Sequence, residues 1–183
     1  MSNLRTKQID PFAKKSNRFG GDQRSTRNSR TYRPITTRQS MHLVLKSKHA
    51  KGDWSFLRPR NKAIITALLK KYSKVFGVKI FSSANVGNHL HLHAKFQSHQ
   101  AYKSFIRVLS AAIALKITGA SKINKLKERF WTQSPYTRFV FGIKDFLSIS
   151  DYIKVNQLEG FGHPRGLAEG VVKNWDYLYD GFA

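Results

Sequence analysis

"VGNHLHLHAKF", residues 86–96, sets His89, His91 and His93 at alternating positions, with Leu90, Leu92 and Ala94 between and after them. Strict alternation is the mark of a β-strand with unlike faces, because successive side chains of a strand point to opposite sides. The apolar set predicts a core-facing side and the histidines predict the other. Two imidazoles at i and i+2 are near enough to converge on one cation, although a merely polar strand face gives the same pattern. The two readings part over whether a third ligand and a nucleophile come from elsewhere in the chain.

Upstream of this strand, "VKIFSSAN" reads as a partner strand, joined through "NVGN", whose Gly87 and Asn88 suit a tight hairpin. Earlier still, "MHLVLKS" from Met41 is strand-like. "RNKAIITALLKKYSKVFG" carries Ile64, Ile65, Leu68, Leu69, Tyr72, Val75 and Phe76 at the helical period, with Gly77 as its stop. Downstream, "QAYKSFIRVLSAAIALKIT" places Tyr102, Phe105, Ile106, Leu109, Ile113 and Ile117 on one side of a second helix that Gly119 ends. After the basic linker "KINKLKER", "YTRFVFG" predicts a fourth strand. "SISDYIKVNQLEG" predicts a short final helix, with Ser148 and Asp151 as a capping-box pair and Gly160 as the stop. The first six elements follow the order of the split βαβ, or ferredoxin-like, arrangement. The fold class is therefore α+β: an antiparallel sheet with two helices on one face and the other face open to the last helix.

The chain has 183 residues, 40% of them apolar, enough for one sizeable core. Its 33 Lys and Arg against 10 Asp and Glu give a formal charge of +23, which points to a polyanionic partner, nucleic acid first. Apolar runs such as "LSAAIALKIT" are too short to span a bilayer and are interrupted by lysine, so neither a transmembrane helix nor a signal peptide is expected. The absence of cysteine removes disulfides, thiolate zinc sites and cysteine nucleophiles, and suits a reducing cytosol. Residues 1–40, basic and without periodicity, read as a disordered arm. Residues 41–160 read as the domain and 161–183 as a tail, in which "VVKNWDYLYDGFA" reads as a short packed helix.

The final predicted helix offers the missing groups. In "DYIKVNQ", Tyr152 and Asn156 lie one turn apart on one face, beside an apolar stripe of Ile149 and Ile153 that would dock the helix on the sheet. If it docks on the histidine face, Asn156 completes a metal site with His89 and His91, and the Tyr152 hydroxyl reaches a bound phosphate. Otherwise Tyr152 is an amphipathic anchor and Asn156 an exposed polar residue.

Taken together, these segments resemble the single-tyrosine HUH transposases of the smallest bacterial insertion sequences and their REP-associated relatives. "GNHLHLHAKF" resembles that family's Asp/Asn-His-apolar-His-Leu strand and "HLVLKSK" its first strand. "RFWTQSPYTRFVFG" resembles its Trp-containing segment and last strand, and "DYIKVNQ" its nucleophile helix. The matches come in family order and cover about residues 40–160. The resemblance implies that His89 and His91 hold Mg²⁺ or Mn²⁺, with Asn156 as third ligand and Gln157 as the alternative amide. It implies that Tyr152 is the nucleophile, forming a 5′-phosphotyrosine and a free 3′-OH on single-stranded or hairpin DNA in the bacterial cytoplasm, at the nucleoid. His93 departs from the family's apolar residue, and is expected to touch DNA or face solvent. His42 is expected as a neighbour of the site, not a ligand.

Arg58, Arg60, Lys70, Lys71, Lys122, Lys125, Lys127 and Arg129 are the expected members of a surface that tracks the DNA backbone. Trp131 reads as a core or hinge residue. Members of the resembled family occur as homodimers, some exchanging the tyrosine helix, and as monomers; "GIKDFLS" is compatible with either. Two binding or nuclease readings stand beside the transposase: a ferredoxin-like nucleic-acid-binding module, and a domesticated, non-transposing nuclease. The first needs aromatics on the exposed central strands, where histidines stand instead. A three-histidine zinc hydrolase leaves Tyr152 and the charge unexplained.

Overall fold

A computed structural model describes residues 35–121, 123–132 and 134–174, together with the backbone of Phe19–Gly20. Its elements are β1 (Phe19–Gly20), β2 (Met41–Lys46), α1 (Pro59–Val75), β3 (Lys79–Asn85), β4 (His89–Lys95), α2 (His99–Thr118), β5 (Tyr136–Phe139), α3 (Gly142–Gly160) and α4 (Arg165–Lys173). The strands lie in the order β1-β5-β2-β4-β3, every neighbouring pair antiparallel. The main strands therefore form the ferredoxin-like sheet, with β4 inserted between the two strands that α1 connects. Of the segment read as a disordered arm, Phe19–Gly20 pairs with Arg138 and Thr137 at the sheet edge. Ile35 packs against the core and Ser40 is buried. The rest of residues 1–34 lies outside the described residues.

The alternation in β2 and β4 decides which face does what. Met41, Leu43 and Leu45 of β2 join Leu90, Leu92 and Ala94 of β4 in a core closed by Ile65 of α1 and by Tyr102, Phe105, Leu109 and Ile113 of α2. Burying each of these leucine or isoleucine side chains contributes about 1.5–3 kcal/mol, which fixes the register, since a one-residue slip would expose the whole set. His42, Val44 and Lys46, with His89, His91 and His93, are left on the opposite face.

Local signals place the covering helices. Pro59 opens α1, and Gly77 just beyond its end has φ +60°. The Ser98 hydroxyl accepts from Ala101 N at 3.0 Å at the start of α2, and Gly119 closes it at φ +69°.

The last long helix differs from its expected form. It starts at Gly142, not Ser148, so Ser148 and Asp151 lie within the helix and form no capping box. The carboxylate of Asp145 does the capping: Oδ2 accepts from Phe141 N at 2.9 Å, and Oδ1 accepts from Arg138 Nη2 of β5 at 2.6 Å. Asp151 pairs with Lys154 on the surface instead. The helix docks on β3 and β4 through a second apolar cluster of Ala84, Val140, Ile149 and Ile153, flanked by Val86 and Phe146. At its far end Gly160 crosses the end of β3 so closely that a Cβ would stand 2.4 Å from Asn85 O. In the tail, α4 packs Ala168 and Val172 against Val155 and Leu158 of α3. Residues 175–183 lie outside the described residues.

Candidate active site

Docking α3 on the open face builds a cavity of about 460 Å³, lined by residues that alternate along the strands and recur once per turn on the helix. Strand β2 supplies His42, Val44 and Lys46, β4 supplies His89 and His91, β5 supplies Tyr136 and Arg138, and α3 supplies Ser148, Ile149 and Tyr152. Cross-strand pairing explains the grouping, since His42 faces Arg138, Val44 faces Tyr136 and Lys46 faces His89. Lys46, Tyr136, Arg138 and Ser148 went unassigned from sequence, although the parity of β2 and β5 carries the signal for the strand residues.

The Tyr152 ring stands edge to face against His42 and His91, at centroid distances of 5.8 and 5.5 Å. It is 39% exposed and lines the cavity. Beneath it, the rings of His42 and His91 lie nearly coplanar, 7° apart with centroids at 5.3 Å, and His42 Nε2 lies 3.0 Å from His91 Nδ1. The ring of His89 meets that of His91 at 4.8 Å, and its Nδ1 lies 2.6 Å from Asn88 Oδ1. His89 and His91 are thus both engaged through Nδ1. The Nε2 of His91 is buried and has no hydrogen-bond partner among the described residues.

Burial governs the charge state of the cluster. It pushes the imidazole of His91 down to about 3, with His42 and His89 adding to the effect. It pushes His42 down to about 4, helped by Arg138 and His93. His89 is lowered by burial and by Lys46. Burial raises the Tyr136 phenol, against the pull of Arg138. At neutral pH the cluster therefore presents neutral imidazoles, the form that ligates metals.

The two amides on α3 part company. Asn156 is buried, and its Nδ2 donates to Tyr152 O at 2.7 Å. Gln157 Oε1 accepts from Asn85 N at 3.1 Å and is engaged in holding α3 to β3. Neither lines the cavity beside the histidines. Among the described residues no group of three His, Asp or Glu side chains could hold a metal ion.

His93 is a correction. It is 0% exposed, with Nε2 2.8 Å from Ser40 Oγ and Nδ1 3.4 Å from Ser150 Oγ, and its ring lies between Phe81 and Phe146. It is closed off from solvent, and joins β4 to α3 two residues before Tyr152.

The expected DNA-facing cations are scattered. Arg58 is exposed and pairs with Asp53 at 3.0 Å, and Arg60 is exposed in the first turn of α1. Lys70 and Lys71 are exposed further along α1. Lys125, Lys127 and Arg129 line a separate groove with Ser110 and Ala114 of α2, the helix on the other face of the sheet. Lys122 lies outside the described residues. Trp131 borders that groove, donates from Nε1 to Ser110 O at 2.8 Å and packs on Phe56. No described helix is long and apolar enough to cross a membrane.

The fold is similar to a solved one, described as "Structure of the REP associates tyrosine transposase bound to a REP hairpin". The match has a TM-score of 0.52 at 16% identity and covers 72% of this chain and 73% of that chain. The sequence carries the assignment further: the family described as "Transposase IS200 like" matches residues 36–156, and the chain belongs to that family of transposases. No curated protein matches it.

Proposed function

We propose that the chain cleaves and rejoins single-stranded DNA through Tyr152, with a divalent cation held by His89, His91 and Asn156. The observation that carries this reading is the contact of the Tyr152 ring with His91 and His42 in one cavity with Lys46 and Arg138. Family membership supports transposition, and the hairpin bound by the structural neighbour supports hairpin DNA as the substrate.

Of the three proposed ligands, the two histidines fit a cation as they stand. His91 Nε2 is a buried nitrogen without a partner, and the Nδ1 contact of His89 to Asn88 leaves its own Nε2 for a ligand. Asn156 is favoured over Gln157 because the Gln157 carbonyl oxygen is already held by Asn85 N. Imidazole donors suit Mn²⁺ at least as well as Mg²⁺. When bound, such an ion would offset charge on the scissile phosphate and fix it for in-line attack.

The chain's own groups account for the rest. A phenol is a weak nucleophile, so its proton must leave as the oxygen attacks. Lys46, and Arg138 in its ion pair with Asp145, line the same cavity and would face the charge of a bound phosphate. The Tyr152 oxygen bonds to phosphorus as the bond from phosphorus to the 3′-oxygen breaks. The phenol proton leaves to solvent, the 3′-oxygen takes up a proton, and a 5′-phosphotyrosine remains. A second 3′-OH reverses these steps and rejoins strands, because the phosphodiester energy is kept in the link.

The test is an SDS-resistant adduct between labelled hairpin DNA and the protein with Mn²⁺, using hairpins from sequence flanking the gene. The adduct should form with the wild type and vanish in Tyr152→Phe and in His91→Ala. Tight, salt-sensitive binding of the same hairpins with no adduct would instead make the chain a binding factor.

A further inference from the structure

The open question at the cavity floor is where a single proton sits. The 3.0 Å approach of His42 Nε2 to His91 Nδ1 is a hydrogen bond between two imidazoles, and only one of those nitrogens can carry the hydrogen. If His42 donates, the neutral His91 carries its hydrogen on Nε2. That buried N–H would then lack a partner beside a cavity lined by Lys46 and by Arg138, the latter paired with Asp145. If His91 donates, a lone pair faces the cations instead, which is the favourable direction of the ring dipole. His89 repeats the arrangement: its Nδ1 meets Asn88 Oδ1, an oxygen that can only accept, so its hydrogen is on Nδ1.

We infer that His42 is a positioning residue: its Nε2 accepts from Nδ1–H of His91 and holds His91 in the tautomer whose Nε2 lone pair faces the cavity. Its own hydrogen is then on Nδ1. Buried on β2 and nearly coplanar with His91, His42 fixes ring orientation as well as tautomer. Partners of this kind usually present an oxygen acceptor to a ligating histidine, and their loss typically weakens metal binding about 10–100-fold. The inference rests on the reading of His91 as a ligand, so its test separates the two.

The experiment compares wild type with His42→Gln, which keeps an acceptor oxygen, and His42→Leu, which removes it. In metal-free protein, long-range ¹H–¹⁵N correlation spectra report which ring nitrogen of His91 is protonated. Electron paramagnetic resonance of free Mn²⁺ then gives the affinity. We expect Nδ1–H on His91 in wild type and His42→Gln, and Nε2–H in His42→Leu, with Mn²⁺ binding weakened about 10–100-fold in His42→Leu and near wild type in His42→Gln. Nε2–H on His91 in the wild type, or unchanged Mn²⁺ affinity in His42→Leu, overturns the inference. A wild type with the expected tautomer that binds no Mn²⁺ overturns the metal reading of the site and leaves the tautomer assignment standing.

Discussion

The Tyr152 ring meets the His91 ring edge to face at 5.5 Å, while the helix that carries it is held to the sheet by other residues. Docking belongs to Ile149 and Ile153. Removing the hydroxyl should therefore leave the fold alone, because the ring that packs on the imidazoles remains. Tyr152→Phe is expected to change stability by no more than about 0.5 kcal/mol, because a partly exposed side chain keeps its packed ring and loses only the hydroxyl. Hairpin affinity should be kept and the covalent adduct lost. A variant that still forms the adduct would move the nucleophile elsewhere, with Tyr136 of the same cavity next in line.

The buried imidazoles make stability depend on pH in a definite direction. His42 and His91 are pushed down to about 4 and about 3 in the folded chain, while the unfolded chain binds these protons near 6.5. Between those values the unfolded state holds more protons, so stability rises with pH across the window. Metal-free protein should keep full stability above pH 6.5 and lose it progressively as the pH falls toward 4. Thermal melts from pH 7 to 4 check this. Replacing both residues with Gln should flatten the dependence, and an equally steep profile in that double variant would assign it to other groups.

Gly160 closes the other end of the helix. A Cβ there would meet the Asn85 backbone oxygen at 2.4 Å, and a backbone atom cannot swing away as a flexible side chain can. Gly160→Ala should cost about 1–3 kcal/mol, in the range for forcing extra volume into a packed contact. The bond from Asn85 N to Gln157 Oε1 lies beside that crossing and should weaken with it. Adduct formation is expected to fall further than hairpin binding. Urea melts together with the adduct assay measure both, and a variant indistinguishable from wild type would show that the crossing adjusts freely.

Where the sequence succeeded and where it fell short has a single physical thread. Alternation in β4 reveals which residues share a face, because strand geometry is local and both neighbours of β4 are antiparallel strands. It says nothing of what covers that face. Phe141 and Gly142 read as the end of the fourth strand, and the signal that starts the helix there is an ion pair from Asp145 to Arg138 of β5. The missed first turns carry Phe146, one of the rings against His93, so exposure of His93 was expected where burial is found. The His42–His91 bond likewise depends on register: His42 pairs across the sheet with His93, and reaches His91 diagonally.

The groove carrying Lys125, Lys127 and Arg129 lies toward α2, while the tyrosine cavity lies under α3. If that groove holds duplex backbone, the three cations contribute to affinity and its salt dependence, and leave the chemistry at Tyr152 untouched. Each phosphate contact contributes about 0.9 to the slope of log affinity against log salt on duplex DNA. Changing all three to Ala should lower the slope by roughly 2–3 and weaken hairpin binding at every sequence alike. At saturating DNA the adduct should form at the wild-type rate, since no lining residue of the cavity has changed. Binding titrations from 50 to 200 mM salt and a single-turnover adduct time course make the comparison. An unchanged slope would remove the groove from the DNA path and leave Arg58, Arg60 and the cavity's own Lys46 and Arg138 as the cations that hold the strand.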